Sequence, residues 1–190
     1  MSSKLLAIIL ALLSLPTQTG VQPIVVPIQN PLFEQGTSGW QFGPSSGVMQ
    51  SGGMPVGYAG YGGSFSQTLG VTPQTIQAPS PGWTYATEGV YVLKFSVANF
   101  YANYPGYYTA EIDFGTQELC ETSGWGTIYF NQVTLTCPGS NYIVFAKALP
   151  EGGPVQGSSD LVIHFTVNTG AGNGGWPVLF KNVSLTFTPN

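Results

Sequence analysis

The sequence predicts an all-β fold, a two-sheet antiparallel β-sandwich of eight to nine short strands, and three observations carry that prediction. Runs rich in Val, Ile, Thr, Tyr and Phe alternate apolar and polar residues with period two. Gly, Pro, Asn and Ser separate these runs. No stretch carries a convincing apolar repeat at 3.6 residues. Short strands with one apolar face each bury those faces by stacking two sheets.

The first twenty residues stand apart from that pattern. MSSK is a short basic start, LLAIILALLSL an eleven-residue apolar run, and PTQTG a small polar exit. This is the layout of a secretory signal peptide, with a run too short to span a bilayer comfortably. Residues 21–190 are then expected to form one domain of a secreted, extracellular or cell-surface protein.

Within that domain a strand is expected at 24–28, followed by NPLFEQGTSGW at 30–40, where a Gly-Thr-Ser-Gly turn separates Phe33 and Glu34 from Trp40. Trp40 is assigned to the core. The segment GPSSGVMQSGGMPVGYAGYGG (43–63) reads as a Gly-rich loop, 64–69 as a strand, and TPQTIQAPSPGW (72–83) as a Pro-rich loop. In GVYVLKFSVANF, Tyr91, Leu93, Phe95 and Val97 form one face against Val92, Lys94, Ser96 and Ala98. In YYTAEIDFG, Tyr108, Ala110, Ile112 and Phe114 oppose Thr109, Glu111 and Asp113. A strand at 117–122 follows, then NQVTLTC with Val133 and Leu135 inward, and another strand at 141–148. SDLVIHFTVN turns Leu161, Ile163, Phe165 and Val167 to one side, NTGAGNGGWP (168–177) is a Gly-rich loop, and KNVSLTFT closes with Val183, Leu185 and Phe187 inward.

Charged residues make up 6% of the chain, against 43% hydrophobic and 13% aromatic residues, which describes a packed core and not a disordered segment. There is no Arg. With Lys4 removed in the leader, Lys94, Lys147 and Lys181 face eight carboxylates, a net charge of −5. Nucleic-acid binding needs clustered cations to displace counterions, and anionic membranes make the same demand, so both partners are excluded. No second apolar stretch reaches membrane length, which argues against membrane insertion. Cys120 and Cys137, the two cysteines, are expected to form one disulfide in an exported chain. They lack the C-x-x-C spacing or neighbouring His that redox or metal chemistry uses.

The catalytic inventory is thin. His164, the single histidine, falls on the polar side of its strand, where a lone imidazole is ordinarily a surface residue. Neither a G-x-S-x-G elbow nor an H-E-x-x-H motif occurs. Glu111 and Asp113 share a strand face with Cβ atoms about 7 Å apart. A solvated ion-pair cluster with Lys94 on a neighbouring strand explains them better than the paired carboxylates of glycoside hydrolysis. No catalytic residue is assigned, and the inventory argues against an enzyme without closing that question. Aromatics are abundant instead: Trp83, Tyr85, Tyr101, Tyr104, Tyr107, Trp125, Tyr129 and Trp176 lie in or beside loops. Flat aromatic faces stack on sugar rings through C–H···π contacts while Asn, Gln and Ser read hydroxyls, so these residues are candidate glycan-binding positions. Their competing role is to cap the ends of the sandwich.

Taken together, NPLFEQGTSGW, GGSFSQTLG, GVYVLKFSVANF and LVIHFTVNTGAGNGGWPVLFKNVSLT resemble, in order and across nearly the whole mature chain, the galactose-binding-like jelly-roll domains. That group includes secreted carbohydrate-binding modules and the hapalindole-type (Stig) cyclases. The resemblance implies a jelly roll whose last segment is a closing hairpin. It also implies a structural calcium held by the acid after the first Phe, here Glu34, with a second acid on the last strand. Lys181 occupies the place of that second acid. Three readings of Glu34 follow: an exposed turn residue, a metal ligand for one structural calcium, or the partner in an ion pair with Lys181 that replaces the calcium. Lys181 shares parity with Val183 and would lean inward unless a bulge intervenes, which favours the ion pair.

The functional expectation is an exported, non-catalytic carbohydrate-binding-like domain with a polysaccharide or glycan ligand and either no cofactor or one calcium. A self-associating surface, matrix or filament subunit is one alternative, since low net charge and sheet edges favour association. A Stig-type cyclase is the other. The resemblance would put that enzyme's acid near Lys181 and Asn182, neither of which is an acid at neutral pH. Glu111, Asp113 or His164 would then have to act in its place.

Overall fold

The computed structural model describes residues 23–69, 89–101, 103–104, 106–114, 117–126, 130–137, 161–167 and 176–189. The expected leader, the loop at 72–83 and the strand at 141–148 lie outside these residues. Among the described residues there are eleven strands: β1 (Ile24–Val26), β2 (Gln41–Phe42), β3 (Ser46–Ser51), β4 (Met54–Ala59), β5 (Ser64–Leu69), β6 (Gly89–Asn99), β7 (Tyr107–Phe114), β8 (Gln117–Trp125), β9 (Asn131–Cys137), β10 (Leu161–Val167) and β11 (Val178–Pro189).

They form two sheets with antiparallel pairing throughout. One has the order β3-β4-β11-β6-β9, with β1 also on β11; the other has the order β2-β5-β10-β7-β8. The period-two alternation predicts the inner faces well. Tyr91, Leu93, Phe95 and Val97 of β6, Ile163 and Phe165 of β10, and Leu185 and Phe187 of β11 are all buried between the sheets. The expected closing hairpin is corrected: β10 and β11 belong to different sheets and face each other across the core.

A second correction concerns 43–63, expected to be a loop. It folds as the β3–β4 hairpin, with Val48 opposite Gly57 and Met49 opposite Val56. Its alternation is invisible because apolar residues and glycine fall on both faces, Val48 and Ala59 on one, Met49, Val56 and Tyr58 on the other. Val48 and Ala59 join the main core, while Met49, Val56 and Tyr58 join a smaller cluster with Ala98, Leu179, Phe100 and Phe130. Gly57 is required by packing, since a Cβ there would come within 2.6 Å of the Phe33 ring.

Residues 30–40 form a compact turn that Asn30 organises. Its side-chain amide donates to the carbonyls of Gly36 and Ser38, its side-chain oxygen accepts from Gln35 N–H, and its backbone carbonyl accepts from the Trp40 indole. The turn drops Phe33 and Trp40 into the core with ring centroids 5.3 Å apart. It also meets the last strand, where Val183 N–H donates to the Pro31 carbonyl. β4 pairs with the start of β11 and β1 with its later part, so the turn sits at the junction between them.

Candidate functional site

Five of the eight aromatic positions picked from sequence converge on one end of the sandwich. Backbone contacts bring three distant segments there: Phe100 N–H donates to the Pro177 carbonyl, and Gly126 N–H to the Gly106 carbonyl. Gly106 permits the approach, because a Cβ there would lie 2.3 Å from Val178 and 2.8 Å from the Trp176 carbonyl. Trp176 packs against Tyr104 at a centroid distance of 4.5 Å and an interplanar angle of 37°. It also meets Tyr101 edge to face at 5.0 Å, and Tyr101 in turn meets Phe100 at 4.5 Å. Although they touch one another, Tyr101, Tyr104 and Trp176 remain 44%, 50% and 36% exposed. Tyr107 and Trp125 are register partners on β7 and β8 at the same corner. Trp83, Tyr85 and Tyr129 lie outside the described residues.

The outer face of the β2-β5-β10-β7-β8 sheet is acidic. Glu111 lies opposite Glu121 and Asp113 opposite Glu118, so four of the chain's eight carboxylates crowd two neighbouring strands. The expected partner Lys94 is not there: it sits on β6, in the other sheet. His164 of β10 takes that place, directly opposite Glu111, with Nδ1 3.8 Å from the carboxylate. Burial pushes the Glu111 carboxyl above its ordinary value, the His164 ring draws it down, and Asp113, Glu118 and Glu121 push it up further. Asp113 is likewise raised by burial and drawn down by His164.

These shifts set the sign of a pH dependence. A carboxyl with a raised folded pKa keeps its proton to higher pH when folded than when unfolded, so stability falls as pH rises just above the usual carboxylate range. Denaturation midpoints measured between about pH 4 and 6.5 should show this decline, and it should flatten in a Glu111→Gln/Asp113→Asn double variant. At neutral pH, Glu121→Gln removes a like charge opposite Glu111 and is expected to stabilise by about 0.5 kcal/mol in urea denaturation.

The expected Glu34–Lys181 ion pair does not form. A β-bulge between Lys181 and Ser184, with Asn182 at φ 54°, reverses the strand's parity ahead of Val183. Phe180 therefore points into the core and Lys181 to the outer side, where its ammonium lies 4.2 Å from the Phe130 ring centroid and 3.6 Å from Met54 Sδ. Glu34 is exposed in its turn. Among the described residues no group of three acidic, His or Cys side chains gathers around it. A hard cation wants several oxygens, and the last-strand place that the resemblance gives to a second acid holds Lys181. Cys120 and Cys137 form the expected disulfide, with Cα atoms 5.5 Å apart.

No protein-family model matches the chain, and no curated protein sequence does. Among solved structures its fold is similar to a cyclase from Fischerella sp. TAU, with a TM-score of 0.54 and 19% identity over 88% of this chain and 98% of that one. A Stig cyclase from the same organism, bound to an indole compound, has the same score and identity over 88% of this chain and 99% of its own. A CBM4 carbohydrate-binding module has a TM-score of 0.50 and 17% identity over 80% of this chain and 97% of that one. At such identities the likeness is one of fold, the jelly-roll sandwich that cyclases and carbohydrate-binding modules have in common.

Proposed function

We propose that this chain is an exported, non-catalytic carbohydrate-binding domain that stacks sugar rings on the aromatic corner formed by Tyr101, Tyr104 and Trp176, extended by Tyr107. The observation that carries this reading is the corner itself, where three large aromatics from two segments expose apolar surface together instead of filling the core. Contiguous exposed apolar surface is a feature of interaction sites and ligand-binding grooves. A net negative, nearly cation-free surface suits a neutral polysaccharide. The disulfide suits an oxidising compartment. The cyclase reading has less support, since Lys181 and Asn182 stand where its acid is expected and Glu111, Asp113 and His164 lie on an outer sheet face.

Retention on a panel of insoluble polysaccharides tests the proposal. Binding to at least one neutral glycan is expected, and Trp176→Ala and Tyr104→Ala should each weaken it about tenfold, which corresponds to about 1.4 kcal/mol. Both side chains are exposed, so their thermal midpoints should stay near that of the parent. Failure to retain any polysaccharide, or unchanged affinity in both variants, would overturn the reading.

A further inference from the structure

The acidic face of the β2-β5-β10-β7-β8 sheet carries a second, separate feature. Glu111 and Asp113 stand two apart on β7, on one face. His164 comes from β10, opposite Glu111 and diagonal to Asp113, whose own partner is Val162. One ligating atom from each of these three side chains lies within 4.8 Å of the other two. Both strands are interior to the sheet, β10 between β5 and β7 and β7 between β10 and β8, so a stiff backbone holds the three donors. All three are half-buried, neither sunk in the core nor free in solvent.

From this geometry we infer that Glu111, Asp113 and His164 form a binding site for a first-row divalent transition metal, with zinc the best match. Three lines of argument support the assignment. The donor set is mixed, one imidazole nitrogen with two carboxylates, and imidazole selects zinc and its neighbours over calcium or magnesium, which prefer oxygen alone. Bonds of about 2.1 Å at tetrahedral angles place donors roughly 3.4 Å apart. The His164–Glu111 separation is already 3.8 Å, so side-chain rotation closes the site without moving a strand. Charge also favours a cation. Glu121 and Glu118 lie directly across from Glu111 and Asp113, and among the described residues both lysines, Lys94 and Lys181, belong to the other sheet. Like charges in opposed register are mutually destabilising, and a dication relieves them. Three protein donors leave a coordination position open toward solvent, available to water or to a ligand oxygen.

The composition makes the test clean. His164 is the single histidine of the chain, and no cysteine is free, so imidazole-dependent metal uptake reports on this site alone. The untagged protein, stripped with EDTA, would be titrated with zinc chloride by isothermal calorimetry. Saturable uptake of one zinc per chain is expected, lost in His164→Ala and weakened at least tenfold in Asp113→Asn. Calcium chloride should give no histidine-dependent heat. A second readout needs no variant: the ring 15N resonances of His164 should shift on zinc addition to the parent protein. Absence of saturable zinc uptake, equal uptake in a folded His164→Ala protein, or unshifted His164 ring nitrogens would each overturn the assignment. The outcome is independent of glycan binding at the aromatic corner.

Discussion

Phe65→Ala is expected to cost about 3–5 kcal/mol of folding stability. Phe65 is 1% exposed and sits where the opening turn, both sheets and the small edge strand meet. Its ring lies 5.9 Å from Phe33, 5.5 Å from Trp40, 5.3 Å from Phe42, 5.0 Å from Phe165 and 5.3 Å from Phe180, centroid to centroid. Removing the ring leaves a void walled by other rings. Those neighbours are held by two sheets and by the Asn30-centred turn, so little collapse can fill it. A domain of this kind has a total stability of about 5–15 kcal/mol, and the variant would consume a large share of it. Guanidinium denaturation would measure the loss. Phe65→Leu restores most of the volume and should recover more than half of the deficit. A cost below about 1 kcal/mol for the alanine variant would mean that the aromatic cluster does not hold the two sheets together.

Removing the Cys120–Cys137 bridge is the second large expected effect, a loss of about 3 kcal/mol in the chain-entropy model. The two cysteines are 17 residues apart in sequence. The bond joins β8, the edge of one sheet, to β9, the edge of the other, and so staples the sandwich along an open side. Without it the unfolded chain gains freedom, while the folded state keeps its inter-sheet packing through Leu135 and Ile112. A Cys120→Ala/Cys137→Ala double variant is the right comparison, because a single replacement would leave a thiol without its partner. Its denaturation midpoint should fall and its slope with denaturant should rise, since a less constrained unfolded state exposes more surface. An unchanged midpoint would show that the bridge contributes nothing to equilibrium stability.

The candidate glycan site was partly legible in the sequence. Tyr101, Tyr104 and Tyr107 cluster in one connection, so their proximity could be read directly. Trp176 lies far from them in the chain and joins them only through the Phe100–Pro177 contact and the space left by Gly106. The Glu111, Asp113 and His164 group was visible only as scattered members. Nothing local pairs residue 111 with residue 164; that pairing belongs to the sheet order, which placed Lys94 in the opposite sheet.

What the sequence by itself determined is the alternation that makes strands and their inward faces, the core role of Trp40, and the pairing of the two cysteines. These follow from period-two patterning and from composition, both local or nearly so. Tertiary structure alone decided the rest. The β3–β4 hairpin is illegible in the sequence because two apolar clusters, one on each face, erase the alternation, and because Gly57 must stay small beneath the Phe33 ring. Lys181 turned outward because one residue, Asn182, enters a left-handed conformation and shifts the strand by one position. In a strand of period two, a single extra residue sends every side chain on one side of it to the opposite face, and only the neighbouring strands determine where that residue is inserted.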